Sequence, residues 1–483
     1  MRKWSWLPVS AVVTGLVVVA CVGDDASLFA ADCKPNEKSC DGKCVANDDP
    51  LVGCAATACN PCVANVNSIA VCKANVCASD CATGFSDCDS NPQNGCEAKT
   101  GTDIANCGAC GAVCGARNAD LPPTCNEGKC TFTCKKDFAH CGGPDVGGCE
   151  TALQTDALNC GACGHSCLGG TCEGGKCKPV QIASASFPTG LALDATNIYF
   201  SSPSESYVQR IGRDGKCTPA APCPQEYIGL SDNLADYRGP SSIVSDGNFV
   251  WLIGKAISSI SRRAVTGGAF VKWGPASDKD PGALVLAGGK LWWTSDFAGA
   301  GTVHVRKSDL DGANILTIAN YNTPVANFQD DSAITADASF VYWTSKHSGV
   351  YRTPLTNATA CNEDSTCTEI GGPGGVGIAV DDNFVYVAEP DGGAIRKMPK
   401  AGGASTLVAS GQVGARTVVA IGTYVYWGVD GAIRRAPQVA APCDAAACEL
   451  VAPATSPAAL IVGSDGLYWT DRAASGGVYR WVP

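Results

Sequence analysis

Sulfur is the chemistry this chain carries in quantity. Of its 31 Cys, 24 lie between Cys33 and Cys177 and six lie beyond residue 200. Cys107-x-x-Cys110 and Cys160-x-x-Cys163 have the spacing of zinc-knuckle ligands and also of a dithiol redox pair. A redox pair needs a βαβ scaffold, and no alternation of strand and helix patterns surrounds these cysteines. The four His are His140, His165, His304 and His347, the first two set among the cysteines. No HExxH, G-x-S-x-G or Walker loop accompanies them, so no catalytic residue is assigned and no enzyme is expected.

The cysteines recur. Cys44, Cys96 and Cys149 mark a period of 52 to 53 residues, and Asn106-Cys107-Gly108-Ala109-Cys110-Gly111 returns as Asn159-Cys160-Gly161-Ala162-Cys163-Gly164. Each repeat has too few large apolar residues for a core, so disulfides must hold its loops, in a connectivity that spacing does not reveal. Disulfides persist only outside the reducing cytosol. The start of the chain agrees: Met1-Arg2-Lys3 is positive, Val9 to Ala20 is apolar, and the run is too short for an ordinary membrane span. We expect a signal peptide over 1–20, a tether over 21–32, Cys-rich repeats over 33–177 and a further domain over 178–483. The last 30 Cys are an even set once Cys21 is put aside. Disulfides, not metal ligands, are therefore expected, with no cofactor. Asp87, Asp89, Asn91, Asn94 and Glu97 are spaced as in an EF-hand loop, but Pro92 stands where that loop needs Gly.

Val18-Val19-Ala20-Cys21 resembles a bacterial lipobox. The resemblance implies that Cys21 is diacylated and becomes the mature N-terminus, anchoring an exported protein at the outer membrane or cell surface. The frame Gly95-Cys96-Glu97 with the NCGACG motif is similar to Cys-rich repeats of secreted bacterial surface proteins, over about 44–177. Proteins of this kind sometimes bear the label tryptophan synthase α-chain. That enzyme is a cytosolic (β/α)₈ barrel, which the patterns here do not support.

From residue 178 the period changes. Tyr199, Trp251, Trp292, Tyr342, Tyr386, Tyr426 and Tyr468 each sit in a strand-like aromatic run, 52, 41, 50, 44, 40 and 42 residues apart. A period near 45 with one aromatic strand per copy predicts a seven-bladed β-propeller, all-β. An apolar strand precedes each aromatic run, as in Gly190–Leu193 and Val376–Val380, and a third strand follows. The third strands carry a basic residue read in one register: Arg210, Arg263, Lys307, Arg352, Lys397, Arg435 and Arg480. These are read as solvated or inter-blade groups more than as a binding ring. The chain stops after a third strand, so Val180–Ala185 is expected to supply the seventh blade's fourth strand and close the ring. Cys217 with Cys223, Cys361 with Cys367, and Cys443 with Cys448 fall between third and fourth strands and are expected to pair. Tyr468-Trp469-Thr470-Asp471 is similar to the YWTD repeat of extracellular receptor propellers, a family with six blades. That resemblance implies blade geometry and an outside location, not a ligand.

A formal charge of −11 gives no attraction to phosphate backbones, which argues against nucleic acid as a partner. The function expected is an exported, lipid-anchored binding protein whose ligand is an extracellular protein, peptide or glycan. A lyase or hydrolase at the axial mouth, with His347 nearby, and a ligand-free surface spacer are the alternatives. The longest connections between blades mix aromatic rings with acids and amides, the chemistry that stacks and hydrogen-bonds a ligand. They place Asp232, Asp236, Tyr237, Arg238, Tyr321, Asn327, Phe328 and Asp330 at the expected site, with Trp273, Asp278 and Lys279 continuing the rim.

Overall fold

A computed structural model describes residues 33–142, 147–202, 207–213, 226–229, 240–254, 259–269, 271–273, 278–279, 282–297, 302–322, 332–345, 348–361, 367–439, 441–445 and 447–483. Among them there is no helix. Cys21, the pair Cys217 and Cys223, His347, and seven of the eight expected ligand residues lie outside this set. Of the eighth, Tyr321, the backbone alone is described.

Seven antiparallel sheets form the blades, six of four strands and one, blade three, of five. Blade five is representative: Gly377–Val380, Phe384–Glu389, Ala394–Pro399 and Thr406–Ala409 pair in sequence order. In blade seven Pro457–Gly463, Gly466–Asp471 and Gly477–Trp481 are joined by Val180–Ser184 from the start of the domain. Val180 faces Arg480 and Ser184 faces Gly477, antiparallel, with a bulge between Gln181 and Ala183. The ring is closed as the missing fourth strand required. Blade three is wider than expected, because Asp278–Lys279 pairs with the far end of Lys290–Phe297. Asp278 and Lys279 are therefore paired into the sheet.

The core lies between the blades. Each second strand buries both faces, so Trp251, Trp292, Trp427, Trp469, Tyr199, Tyr342, Tyr386, Tyr426 and Tyr468 are almost fully enclosed. One sheet buried on both sides must read as a continuous apolar run, and Phe-Val-Tyr-Trp does. Clusters such as Tyr342, Val350, Val385, Val387 and Met398 join blade four to blade five.

The chain divides into two compact units. One holds the earlier part of the cysteine-rich region, up to 116 together with 121–133. Its buried apolar residues are almost all cysteines: Cys40, Cys54, Cys96, Cys107, Cys114 and Cys125, with Ala98. The second unit holds 149–483 with two short segments before it, so the third cysteine repeat belongs to the same unit as the blades. There the buried indole of Trp481 donates to the Cys177 carbonyl at 2.9 Å, and Val482 packs on Cys160, Cys167, Cys172 and Cys177.

All 24 cysteines from Cys33 to Cys177 are paired. The bonds repeat with the sequence period: Cys54–Cys72, Cys107–Cys125 and Cys160–Cys172 are equivalent, as are Cys62–Cys77, Cys114–Cys130 and Cys167–Cys177. Other bonds, such as Cys81–Cys96 and Cys88–Cys110, link one repeat to the next.

Candidate functional site

The repeated polar residues are occupied by the scaffold. An Asp at each of four turns between first and second strands accepts two backbone N–H groups on Oδ1, as Asp381 does from Asn383 and Phe384 at 2.8 and 2.7 Å. The tyrosine five residues on then donates its hydroxyl to Oδ2: Tyr199 to Asp194 at 2.6 Å, Tyr342 to Asp337 at 2.9 Å and Tyr386 to Asp381 at 2.6 Å. Burial and these carboxylates push the three phenols well above their ordinary value. In Tyr468-Trp469-Thr470-Asp471 every polar side chain is engaged. Tyr468 donates to Asp465 at 2.7 Å, the Thr470 hydroxyl accepts from Ala459 N–H at 3.0 Å and donates to Thr189 O at 3.2 Å, and Asp471 accepts from Thr455 and Ser456 N–H. The motif ties a second strand to its own first strand, to the next blade and to the preceding connection. It builds the blade.

Five residues of the basic register latch one blade to the next. Arg210 donates to the Val265 carbonyl, Lys307 to Asn357, Arg352 to Lys400 and Lys397 to Gln438, each carbonyl lying just after the third strand of the following blade. In blade two the residue in register is Arg262, not Arg263: Arg262 faces Trp251, donates to Leu310 O at 2.8 Å and lies 4.5 Å over the Phe249 ring. Two adjacent arginines made the spacing ambiguous, and pairing resolves it. Arg435 lies over Tyr424 at 4.4 Å and binds Glu449 through two nitrogens. Reaching a backbone carbonyl across a blade boundary is a structural task for Arg210, Arg262, Lys307, Arg352 and Lys397; Arg480, buried in blade seven, leaves two of its nitrogens without a hydrogen-bond partner among the described residues.

These contacts set an acid limit. Burial alone would raise the Asp337 carboxyl, but Lys400, the Ser339 and Phe340 N–H groups and the Tyr342 hydroxyl hold it at about 2. Asp194 and Asp465 are lowered in the same way, against burial, by Tyr199 and by Arg213 with Tyr468. A depressed folded-state value contributes stability that is complete above the unfolded value of about 3.9 and disappears as pH falls toward 2. The melting temperature of the second unit is expected to drop between pH 4 and 2. Asp337→Asn should cost about 1–3 kcal/mol at pH 7 and flatten that acid limb. Parallel acid limbs in variant and parent, measured by thermal unfolding, would contradict the assignment.

The two faces differ in kind. One carries the turns between first and second strands and the disulfide hairpins; the other carries the turns between second and third strands and the connections between blades. Cys361–Cys367 and Cys443–Cys448 are formed as expected. Each hairpin does more than stiffen itself. Cys361 N–H donates to Ile318 O, and Cys443 N–H to Val408 O, in short parallel bridges on the outer strand of the preceding blade. The hairpins thus cover strand edges, a use the sequence did not signal.

On the connection face, Tyr321 lies in Leu316–Asn322 opposite Val303, which brings the start of the connection after blade three to that face. Trp273 pairs with Ile260, stands near Arg262 and packs against Gly312 of blade three. It belongs to the blade boundary and not to an open rim. Over blades five to seven the connections are hydrogen-bonded into an arc: Gln412 N–H to Gly393 O, Ser456 hydroxyl to Asp430, Arg472 N–H to Ser456 O, and Phe187 N–H to Ala473 O. Phe187 is held at φ 50°, an unfavourable value for a bulky residue, with its ring about half exposed. At the same face burial pushes the Glu389 carboxyl up, with Arg396 opposing from 2.6 Å.

Two further places hold titratable groups. Carboxylate oxygens of Asp87, Asp89 and Glu97 lie within 4.8 Å of one another. Asp89 accepts from Asn91 and Asn94, and Glu97 from Cys88 N–H, so these acids brace their own loop. On the turn face of the second unit a groove of about 440 Å³ is lined by His165, Leu168, Ile421, Asp465 and Val482. The His165 ring is braced between Cys160 O at 2.6 Å and Pro483 O at 3.1 Å. His304, buried in blade three, faces Arg306 at 2.8 Å through Nδ1.

No family model and no curated protein matches the chain. Solved structures that it resembles include a virginiamycin B lyase from Staphylococcus aureus, 13% identical with a TM-score of 0.47, over 63% of this chain and 98% of that one. BamB from Moraxella catarrhalis is 13% identical at a TM-score of 0.42, over 64% and 97%. A chain of a nidogen/laminin complex is 12% identical at 0.37, over 50% and 90%. None of these likenesses carries a residue role or an activity to this chain. The strand order and the twelve N-terminal disulfides stand on their own: the chain is a seven-bladed β-propeller with a disulfide-rich N-terminal region.

Proposed function

We propose that this protein is an exported, lipid-anchored binding protein, held to the membrane through Cys21, with the propeller as its ligand platform. The observation that carries the reading is the division of labour among its polar residues. Those that recur from blade to blade are engaged by the scaffold, the Tyr–Asp pairs within a blade and the basic residues across blade boundaries. What differs from blade to blade is the set of connections on one face, and variable connections on a rigid scaffold are where recognition resides. The two longest, 231–238 and 321–331, supply Asp232, Asp236, Tyr237, Arg238, Tyr321, Asn327, Phe328 and Asp330. Their mixture of rings, acids and amides suits an extracellular protein, a peptide or a glycan. Disulfide density agrees with life outside the cytosol.

The test is capture. Delipidated ectodomain is presented to envelope extracts and to a glycan array, beside a variant with Tyr237, Arg238, Tyr321 and Phe328 changed to Ala. The expected result is one ligand retained by the parent and lost at least tenfold by the variant, with both melting alike. Equal retention by the two would overturn the site. Turnover of a captured small molecule would favour the axial lyase or hydrolase instead.

A further inference from the structure

Each cysteine repeat brings two disulfides against one another in the same arrangement. In the first, Cys54–Cys72 meets Cys62–Cys77, and the sulfurs of Cys54 and Cys62 are 3.2 Å apart. In the second, Cys107–Cys125 meets Cys114–Cys130; in the third, Cys160–Cys172 meets Cys167–Cys177. Three sulfurs of each set lie within 4.8 Å of one another, and the fourth is bonded to one of them. A tetrahedral zinc thiolate with Zn–S near 2.3 Å places its sulfurs about 3.8 Å apart. The Cα separations of the bonded pairs, 5.2 to 5.7 Å, let each pair of sulfurs open to that distance by side-chain rotation.

We propose that the chain in its reduced form carries three latent four-thiolate sites for Zn²⁺, one per repeat, formed by the cysteines that the oxidised form uses as crossed disulfides. The chemistry balances with a dithiol reductant. Two dithiol molecules give four electrons and four protons to two disulfides and leave as disulfides themselves. Four thiols then release their protons to solvent as four Zn–S bonds form. Such a site supplies folding free energy to a segment that has almost no other core, so the reduced chain gains order before it is oxidised. The zinc-knuckle spacing of the sequence is not used: Cys110 pairs with Cys88 and Cys163 with Cys141, apart from the clusters.

The experiment uses the full chain, reduced and anaerobic, titrated with Zn²⁺ and then labelled with a maleimide and mapped by peptide mass spectrometry. The expected result is three Zn²⁺ per reduced chain and none on the oxidised chain. The twelve cluster cysteines should be protected, while Cys33, Cys40, Cys88, Cys110, Cys141 and Cys163 label freely. The double variant Cys114→Ser, Cys130→Ser should bind two Zn²⁺ and lose protection only at Cys107 and Cys125. Protection of Cys110 and Cys163 would assign the metal to the CxxC pairs and overturn the proposal. So would uniform labelling of all stalk cysteines, or a double variant that still binds three.

Discussion

Deletion of Val180–Ser184 is expected to abolish folding of the propeller. The segment buries Val180, Ile182 and Ala183 and supplies the fourth strand of blade seven. Its side chains also pack among Leu191, Ile198, Phe200 and Tyr468, joining the first blade to the last. Enclosing Val180 and Ile182 alone is worth about 3–6 kcal/mol. The whole stability of a domain is about 5–15 kcal/mol, and loss of the strand also exposes the edge of Gly477–Trp481 to other chains. The deleted chain should therefore appear as aggregate or as a species without a cooperative thermal transition. Ile182→Asp, which leaves the backbone intact but buries an unpaired charge, should lower the melting temperature by more than 10 °C. A deletion variant that melts like the parent would show that the ring closes elsewhere.

Reduction should separate the two halves of the molecule. Between residues 33 and 142 the buried apolar side chains are cysteines with a single alanine, so the loops have nothing else to hold them. A disulfide that closes a loop of about 15 residues contributes roughly 3 kcal/mol, and twelve such bonds span separations of 10 to 22. With reductant and a chelator present, amides of 33–142 are expected to exchange at unfolded-chain rates. The blades have cores of Trp, Tyr, Val and Ile and should keep their slow amides, although Cys361–Cys367 and Cys443–Cys448 open as well. The third repeat is the informative boundary. Its cluster packs on Val482, and Trp481 bonds to Cys177, so reduction should also lower the melting temperature of the blades modestly. Blades that unfold completely with the repeats would mean that the disulfides, not the ring, hold the propeller.

The scaffold was legible because it repeats. Seven aromatic runs gave seven second strands, and the absence of a fourth strand after Trp481 pointed back to Val180. The YWTD-like motif was readable as geometry for the same reason: the hydroxyl of Thr470 and the carboxylate of Asp471 act on backbone groups whose positions recur. What failed or stayed silent was not periodic. Arg262 and Arg263 are adjacent, and only the pairing of Trp251 chooses between them. Disulfide partners cross from one repeat into the next at Cys81–Cys96, which no spacing announces. The bond from Trp481 to Cys177 joins residues far apart in the chain and leaves no local pattern. The expected ligand residues lie in connections that share no register with one another, so sequence could nominate them by composition but not order them in space.

The most direct measurement is hydrogen exchange on the purified chain, free and with the ligand captured from envelope extract or array. If the propeller binds through its connections, protection on binding should fall on 231–238 and 321–331, with smaller effects at neighbouring connections on the same face. Protection at the turn face, around Cys443–Cys448 or the groove beside His165, would contradict that account, as would protection confined to the first strands around the axis.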